Sequence, residues 1–242
     1  MDEPDWRLKV TATVTEDVTL PWSGERVFSG ARMDLVSIID LPQKRKLTIA
    51  VPDLTALYIN TSFKAWKTYR EIRSKEHIDS SVKKSVEFTS DTISFDALEN
   101  LAASVIFSYT AIESFCNDSI PYEHEFWHQK RSGTILEKSD KKQLERNFST
   151  ERKLNEVLTE IYKVEPPKGK NPVWASFEKL KKCRDGLIHA KSHETRSVGS
   201  GEKNLWNYLF TMEAPHKLSK DVFNWYLKNR KEVPNWYKKY PK

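Results

Sequence analysis

Two short stretches hold residue types whose spacing could do chemistry. The first, HEFWH, sets His124 and His128 four residues apart around Glu125. On a helix that spacing turns both imidazoles the same way, so they can share one Zn²⁺ while the carboxylate activates its water. The surroundings argue against this. Pro121 ends the preceding helix just upstream, Glu123 precedes the motif, and Gln129, Lys130 and Arg131 follow it. These neighbours suit a buried helix poorly, and neither Glu145 nor Glu151 is marked out as a third ligand. The expectation is a polar loop with Phe126 and Trp127 folded inward, holding no metal and no cofactor. His189 and His193 repeat the spacing, again as a pair without a third ligand.

The second stretch is CRDGLIHA, residues 183–190. Arg184 and His189 enclose four residues, an acid directly follows the Arg, and Leu187 and Ile188 precede the His. A histidine near its ordinary pKa of about 6.5 can both take and give a proton, and a guanidinium can balance developing negative charge. On an ideal helix five residues turn the direction by about 140° and rise about 7.5 Å, so the two side chains do not stack directly. A two-fold pairing of such helices would bring both copies together. Alternatively, Gly186 loosens the helix locally. Without chemistry, the same residues read as a surface Arg184–Asp185 pair and a helix-end His189 satisfying carbonyls or the helix dipole.

The elements that must position these residues are mainly helical. LKVTATV (8–14) alternates in the strand period, and MDLVSIIDL and KLTIAV flank PQKR as two strands joined by a turn. Asp53 is a candidate N-cap for a helix reaching about Lys75, and 77–91 is a polar, Ser/Lys-rich linker. The strongest helix begins near Ser94 or Asp96 and runs to about Ser119, with Leu98, Leu101, Val105, Ile106, Tyr109, Ile112, Phe115 and Cys116 on a broad apolar face. A second follows Ser149 or Thr150, where Leu154, Val157, Leu158 and Ile161 share a face. A third starts at Pro172 and carries Trp174, Phe177, Leu180, Cys183 and Leu187. A last follows Ser219, with Val222, Phe223, Tyr226 and Leu227 inward. The fold class expected is mainly α, a helical bundle preceded by a small β-rich N-terminal element, α+β overall. Its parts are 1–91, 92–195 and a basic aromatic extension, 196–242.

With 38% apolar and 31% charged residues among 242, the composition is that of a folded, helix-leaning chain. No stretch approaches the roughly 18 apolar residues of a membrane span, and the acidic start MDEPDWRLK lacks a secretory pattern, so a cytoplasmic protein is expected. Cys116 and Cys183, each beside apolar neighbours, read as reduced buried thiols. The net charge of +6 is uneven: eight cations face two acids from Lys217 to Lys242, and eight face three from Lys163 to His193. Cations beside Trp, Tyr and Phe suit phosphate attraction with base stacking, or else form a solvated basic face.

The long helix containing FSYTAIESF, the intervening helices and the Arg-Asp-x3-His helix in a basic segment together resemble the HEPN superfamily, over about Ser94 to Ser192. Its members are α-helical bundles, and its nuclease branch carries an Arg-x4-6-His motif. The resemblance implies that Arg184 and His189 are the motif pair, that Asp185 fills the polar position after the Arg, and that Glu113 is the polar residue of the first helix. It implies a homodimer in which two motifs form one metal-independent ribonuclease site, and a role as a toxin or antiviral effector, with an antitoxin or other regulatory protein as a further partner. In some toxins of the family a Tyr stands two residues past the His; here that position is Lys191. In such a site His189 would serve the 2′-OH and the leaving oxygen, Arg184 the phosphorane-like charge, and Lys181, Lys182 and Lys191 would steer the RNA. Two other function classes stay open: a non-catalytic module binding a nucleotide, RNA or a protein, and a zinc hydrolase using HEFWH.

Overall fold

A computed structural model describes residues 4–9, 11–21, 23–129, 135–169, 172–197, 199 and 204–240. The fold is mainly helical with small antiparallel sheets, an α+β arrangement dominated by helix. The chain divides into two units, one of residues up to Leu57 together with Val233–Tyr240, the other Tyr58–Glu232.

Among the described residues the first unit holds six short strands. β1 (Thr11–Thr13) pairs with β4 (Arg32–Asp34), and β2 (Val18–Thr19) with β3 (Arg26–Val27). β5 (Val36–Leu41) and β6 (Arg45–Ala50) form a longer hairpin in the register Val36↔Ala50 to Leu41↔Arg45, the two strands read around PQKR. Gln43 and Lys44 at its tip both have positive φ, which lets so short a connection reverse the chain. Of the strand expected over 8–14, Leu8 bridges Pro52 and Thr11–Thr13 forms β1, while Val10 lies outside the described residues. Asp53 Oδ1 accepts from Ala56 N at 2.9 Å and starts α1 (Leu54–Lys75), the cap its position before an apolar helical pattern requires.

The second unit is built on α2 (Asp91–Asp118), which packs on both α6 (Val173–Ile188) and α9 (Pro215–Leu227), themselves in contact. Leu101, Val105, Ile112 and Phe115 of α2, Phe177, Leu180 and Cys183 of α6, and Val222, Phe223 and Tyr226 of α9 are buried together as the core. α2 starts three to five residues earlier than its apolar pattern suggests, because the Ser90 hydroxyl accepts from Ile93 N and caps polar residues that show no periodicity. Ser149 caps the helical run 150–162, made of α4 (Thr150–Arg152), a π-helical turn (Lys153–Val157) and α5 (Leu158–Tyr162). α9 begins at Pro215, not after Ser219; Ser219 lies inside it, fully buried, with its hydroxyl on Ser108 O.

Several elements escaped the sequence pattern. β7 (Phe126–Gln129) pairs with β8 (Leu136–Ser139), and α3 (Lys141–Asn147) opens on a capping box between Asp140 and Gln143. Past α7 (Ser192–Thr195), α8 (Leu205–Phe210) opens on the same device between Asn204 and Asn207. In the first unit, α10 (Asn235–Lys239) buries Trp236. Phe223, Tyr226, Trp236 and Tyr240 are buried, so these aromatics of the basic tail serve packing and offer no stacking surface. Both cysteines are free and buried, and burial pushes their thiols up, Cys183 to about 11.

Candidate functional site

HEFWH does not lie on a helix. His124 and Glu125 sit in a loop and Phe126–Gln129 is strand β7, whose alternation sends Phe126 inward and leaves Trp127 60% exposed, correcting the expectation that both fold inward. The Phe126 ring lies 6.5 Å from the His124 ring and 6.0 Å from that of His128. His128 Nε2 bonds Ser139 Oγ at 2.9 Å, and His124 Nε2 lies 3.8 Å from Glu160 Oε1. Among the described residues no group of three or more His, Cys, Asp or Glu is placed to hold a metal ion.

The second stretch occupies the last turns of α6. The helix runs unbroken through Gly186 to Ile188, so this glycine does not loosen it. Its missing side chain instead admits Leu205 of α8: a Cβ here would stand 2.8 Å from Leu205 Cδ1. His189 is the C-cap; its N–H donates to Asp185 O at 2.9 Å, while its own φ of −118° and ψ of 45° leave the helix.

Arg184 faces α2. Its Nη2 donates to Glu113 Oε1 at 2.8 Å and its Nη1 to Asp185 Oδ1 at 2.8 Å. The guanidinium carbon lies 4.2 Å from the centre of the Tyr109 ring, one helical turn before Glu113 on α2. The Thr150 hydroxyl donates to Glu113 Oε1 at 3.3 Å. Tyr109 is pushed up to about 12, first by burial, against which its hydrogen bond with Thr150 acts. Asp185 is shared: its Oδ2 accepts from Lys181 Nζ at 2.9 Å. Glu113, Arg184, Asp185 and Lys181 therefore form one line of alternating charge from α2 across α6.

That line ends at a cavity of about 760 Å³ against α6 and α8, a volume within the range of small-ligand pockets. His189, Lys181, Asp185, Lys191, His193 and Arg196 contribute to its wall. Phe177, Cys183 and Leu205 supply an apolar part of the same wall, and the Lys182 ammonium sits 3.8 Å from the Tyr208 ring centre at its edge. The exposed His189 imidazole makes no hydrogen bond or ion pair with the described residues. The structure thus brings Glu113, Arg184, Asp185 and Lys181 together, and Lys181, Lys182, Asp185, Lys191 and His189 around one cavity. Arg184 lies behind that wall, reached through Asp185. Tyr109, Thr150, Arg196 and Tyr208 were not singled out in the sequence for this site. Tyr109 alone left a signal there, standing four residues before Glu113 on the same helix face.

No protein-family model matches this chain, nor does any curated protein or solved structure. No helix among the described residues is long and apolar enough to cross a membrane.

Proposed function

We propose that this protein is a metal-independent endoribonuclease of the HEPN type, a cytoplasmic toxin or antiviral effector whose site is completed by a second copy of the chain. One observation carries the reading. Arg184, first residue of the Arg-x4-His stretch, is ion-paired across 71 residues with Glu113, the polar residue of the long helix. That pairing also supports the roles given to both residues. His189, exposed on a basic wall, takes the proton of the ribose 2′-OH as that oxygen attacks phosphorus. The P–O5′ bond breaks, a proton returns to the leaving 5′-oxygen from an imidazole, and the products are a 2′,3′-cyclic phosphate and a 5′-hydroxyl. Lys181 balances charge on the phosphorane, Arg184 acts from behind that wall through Asp185, and Lys182, Lys191 and Arg196 draw in the phosphate backbone.

A second reading, a non-catalytic binding module, has its own support. The Arg184 guanidinium already has two carboxylate partners, an arrangement that a structural ion pair also adopts. Incubation of the wild type, His189→Ala and Arg184→Ala with mixed cellular RNA in excess EDTA separates the two. Cleavage by wild type alone is expected, and RNA that stays intact with wild type while still being bound would replace the nuclease by the binding module.

A further inference from the structure

The β5–β6 hairpin is unusual in what it exposes. Every residue of β6 is exposed, and Val36 (52%), Ile38 (65%), Ile39 (38%), Leu47 (43%) and Ile49 (38%) stand in solvent on the two faces of a two-stranded arm. Among the described residues neither outer edge of the arm is paired. A lone hairpin is marginal in water, and an exposed apolar edge is a template for another strand.

We infer that this arm is a self-association surface, on which β6 pairs antiparallel with β6 of a second copy about a two-fold axis at Thr48. The hydrogen-bond phase fits. Val51 N donates to Leu35 O at 2.8 Å, so alternation along the ladder turns the Leu47 and Ile49 backbone groups toward β5 and those of Lys46, Thr48 and Ala50 outward. Pairing about Thr48 sets outward groups against outward groups at all three positions, Thr48 on Thr48 and Lys46 on Ala50 of the other copy.

The side chains select this edge and this register. On one face Leu47 meets Ile49 of the other copy, flanked by Ile39, and the reciprocal contact doubles the aliphatic cluster. On the opposite face the two Thr48 side chains meet between the two Ile38 side chains, a favourable cross-strand pair. Pairing through β5 about Ile38 would set Asp40 against Val36, and sliding the β6 pairing to Leu47 would set Arg45 against Ile49. Charge agrees as well. The basic tips, Lys44 to Lys46, point opposite ways, with the two Lys44 positions about 26 Å apart at 3.3 Å per residue, beyond the Debye length of about 8 Å.

This inference does not rest on the ribonuclease reading, and its test reads this edge alone. Cys116 and Cys183 are buried, so a cysteine placed on the arm is the one accessible thiol among the described residues. Opposed residues of a hydrogen-bonded pair have Cα atoms about 5.5 Å apart, within disulfide reach. Full-length Thr48→Cys, oxidised mildly at rising protein concentration, should form at least about tenfold more disulfide-linked dimer than Ser37→Cys, an exposed position on the other strand. Adding Leu47→Asp at this exposed position should suppress the link, with a melting curve of the variant as the check that it folds. A Thr48→Cys chain that stays monomeric, or that links no faster than Ser37→Cys, would overturn the inference.

Discussion

Arg184 Nη2 and Glu113 Oε1 meet at 2.8 Å, joining the middle of α6's final turns to the long helix α2, while Tyr109 stacks beneath the same guanidinium. Arg184 is 21% and Glu113 37% exposed, so solvent screens the pair and its share of stability is small, about 1 kcal/mol or less. Its weight falls on position instead. Glu113→Gln should lower the melting temperature by only a few degrees, yet cut RNA cleavage by about two orders of magnitude as the guanidinium drifts from its plane. Arg184→Lys should behave like Arg184→Ala in cleavage, since an ammonium cannot make the planar fork or stack on the ring. Cleavage rates beside melting curves check both; equal losses in stability and rate would reduce the pair to a structural tie.

A buried hydroxyl cluster fastens α1 to α2. Ser62 Oγ donates to Ser104 O at 2.8 Å and lies 2.6 Å from Ser108 Oγ, and all three residues are fully buried. Small side chains let the helices approach, and each hydroxyl has its partner only there. Ser108→Ala should cost about 1 kcal/mol by removing one hydroxyl contact, since Ser62 Oγ keeps Ser104 O and Ser104 Oγ, and Ser108→Leu about 3 kcal/mol by forcing the helices apart. Urea unfolding of the two variants measures the difference.

His216, in the first turn of α9, is 2% exposed, packs edge-on against Phe63 at 5.2 Å, and has a buried Nδ1 without a partner. Burial, reinforced by Lys217 and Lys220, lowers its pKa from 6.5 to about 4. The folded state therefore resists a proton that the unfolded chain accepts. The stability attached to this group is complete above pH 6.5, declines as pH falls from 6.5 toward 4, and changes no further below. The full loss is on the order of 3 kcal/mol. Melting temperature should fall over that window in the wild type and flatten there in His216→Phe.

Gly186 gives a sharper test of how α6 meets α8. An added Cβ would approach Leu205 Cδ1 to 2.8 Å, but that atom is the end of a flexible side chain. Alanine also favours a helix interior by about 1 kcal/mol over glycine, so Gly186→Ala should leave stability within about 1 kcal/mol of wild type. Gly186→Val, larger and stiff at χ1, should lose about 2–3 kcal/mol and disturb the cavity wall that Leu205 shares with His189. Denaturation midpoints for the two variants decide it.

The long helices were legible because their burial repeats every three to four residues, as Leu101, Val105, Ile112 and Phe115 do on α2. The short ones were not. α3 and α8 depend on capping boxes at Asp140 and Asn204 and bury few residues each, too few for a period to show. The start of α9 was missed because Ser219 looks like a cap, whereas its hydroxyl is spent inside the bundle on Ser108. At the site, Arg184, Asp185 and His189 stood out by residue type and context, and Glu113 only through the family resemblance. Thr150 and Tyr208 could not, since their roles come from rings and hydroxyls brought together from distant elements.

The HEFWH stretch offers the last prediction. Spacing of i and i+4 converges on a metal only where the backbone turns by about 100° per residue; in an extended strand the same positions are about 13 Å apart along the chain. Phe126 packs against both rings, and His128 is engaged by Ser139 Oγ at 2.9 Å and by the Phe148 ring at 4.9 Å. Zinc added in equimolar amount should leave the melting temperature unchanged, and EDTA likewise. His128→Ala should cost about 1–2 kcal/mol through the lost hydrogen bond and ring contact, with or without chelator. A zinc-dependent rise in melting temperature that His124→Ala and His128→Ala each abolish would instead require the two imidazoles to turn from Phe126 onto a shared ion.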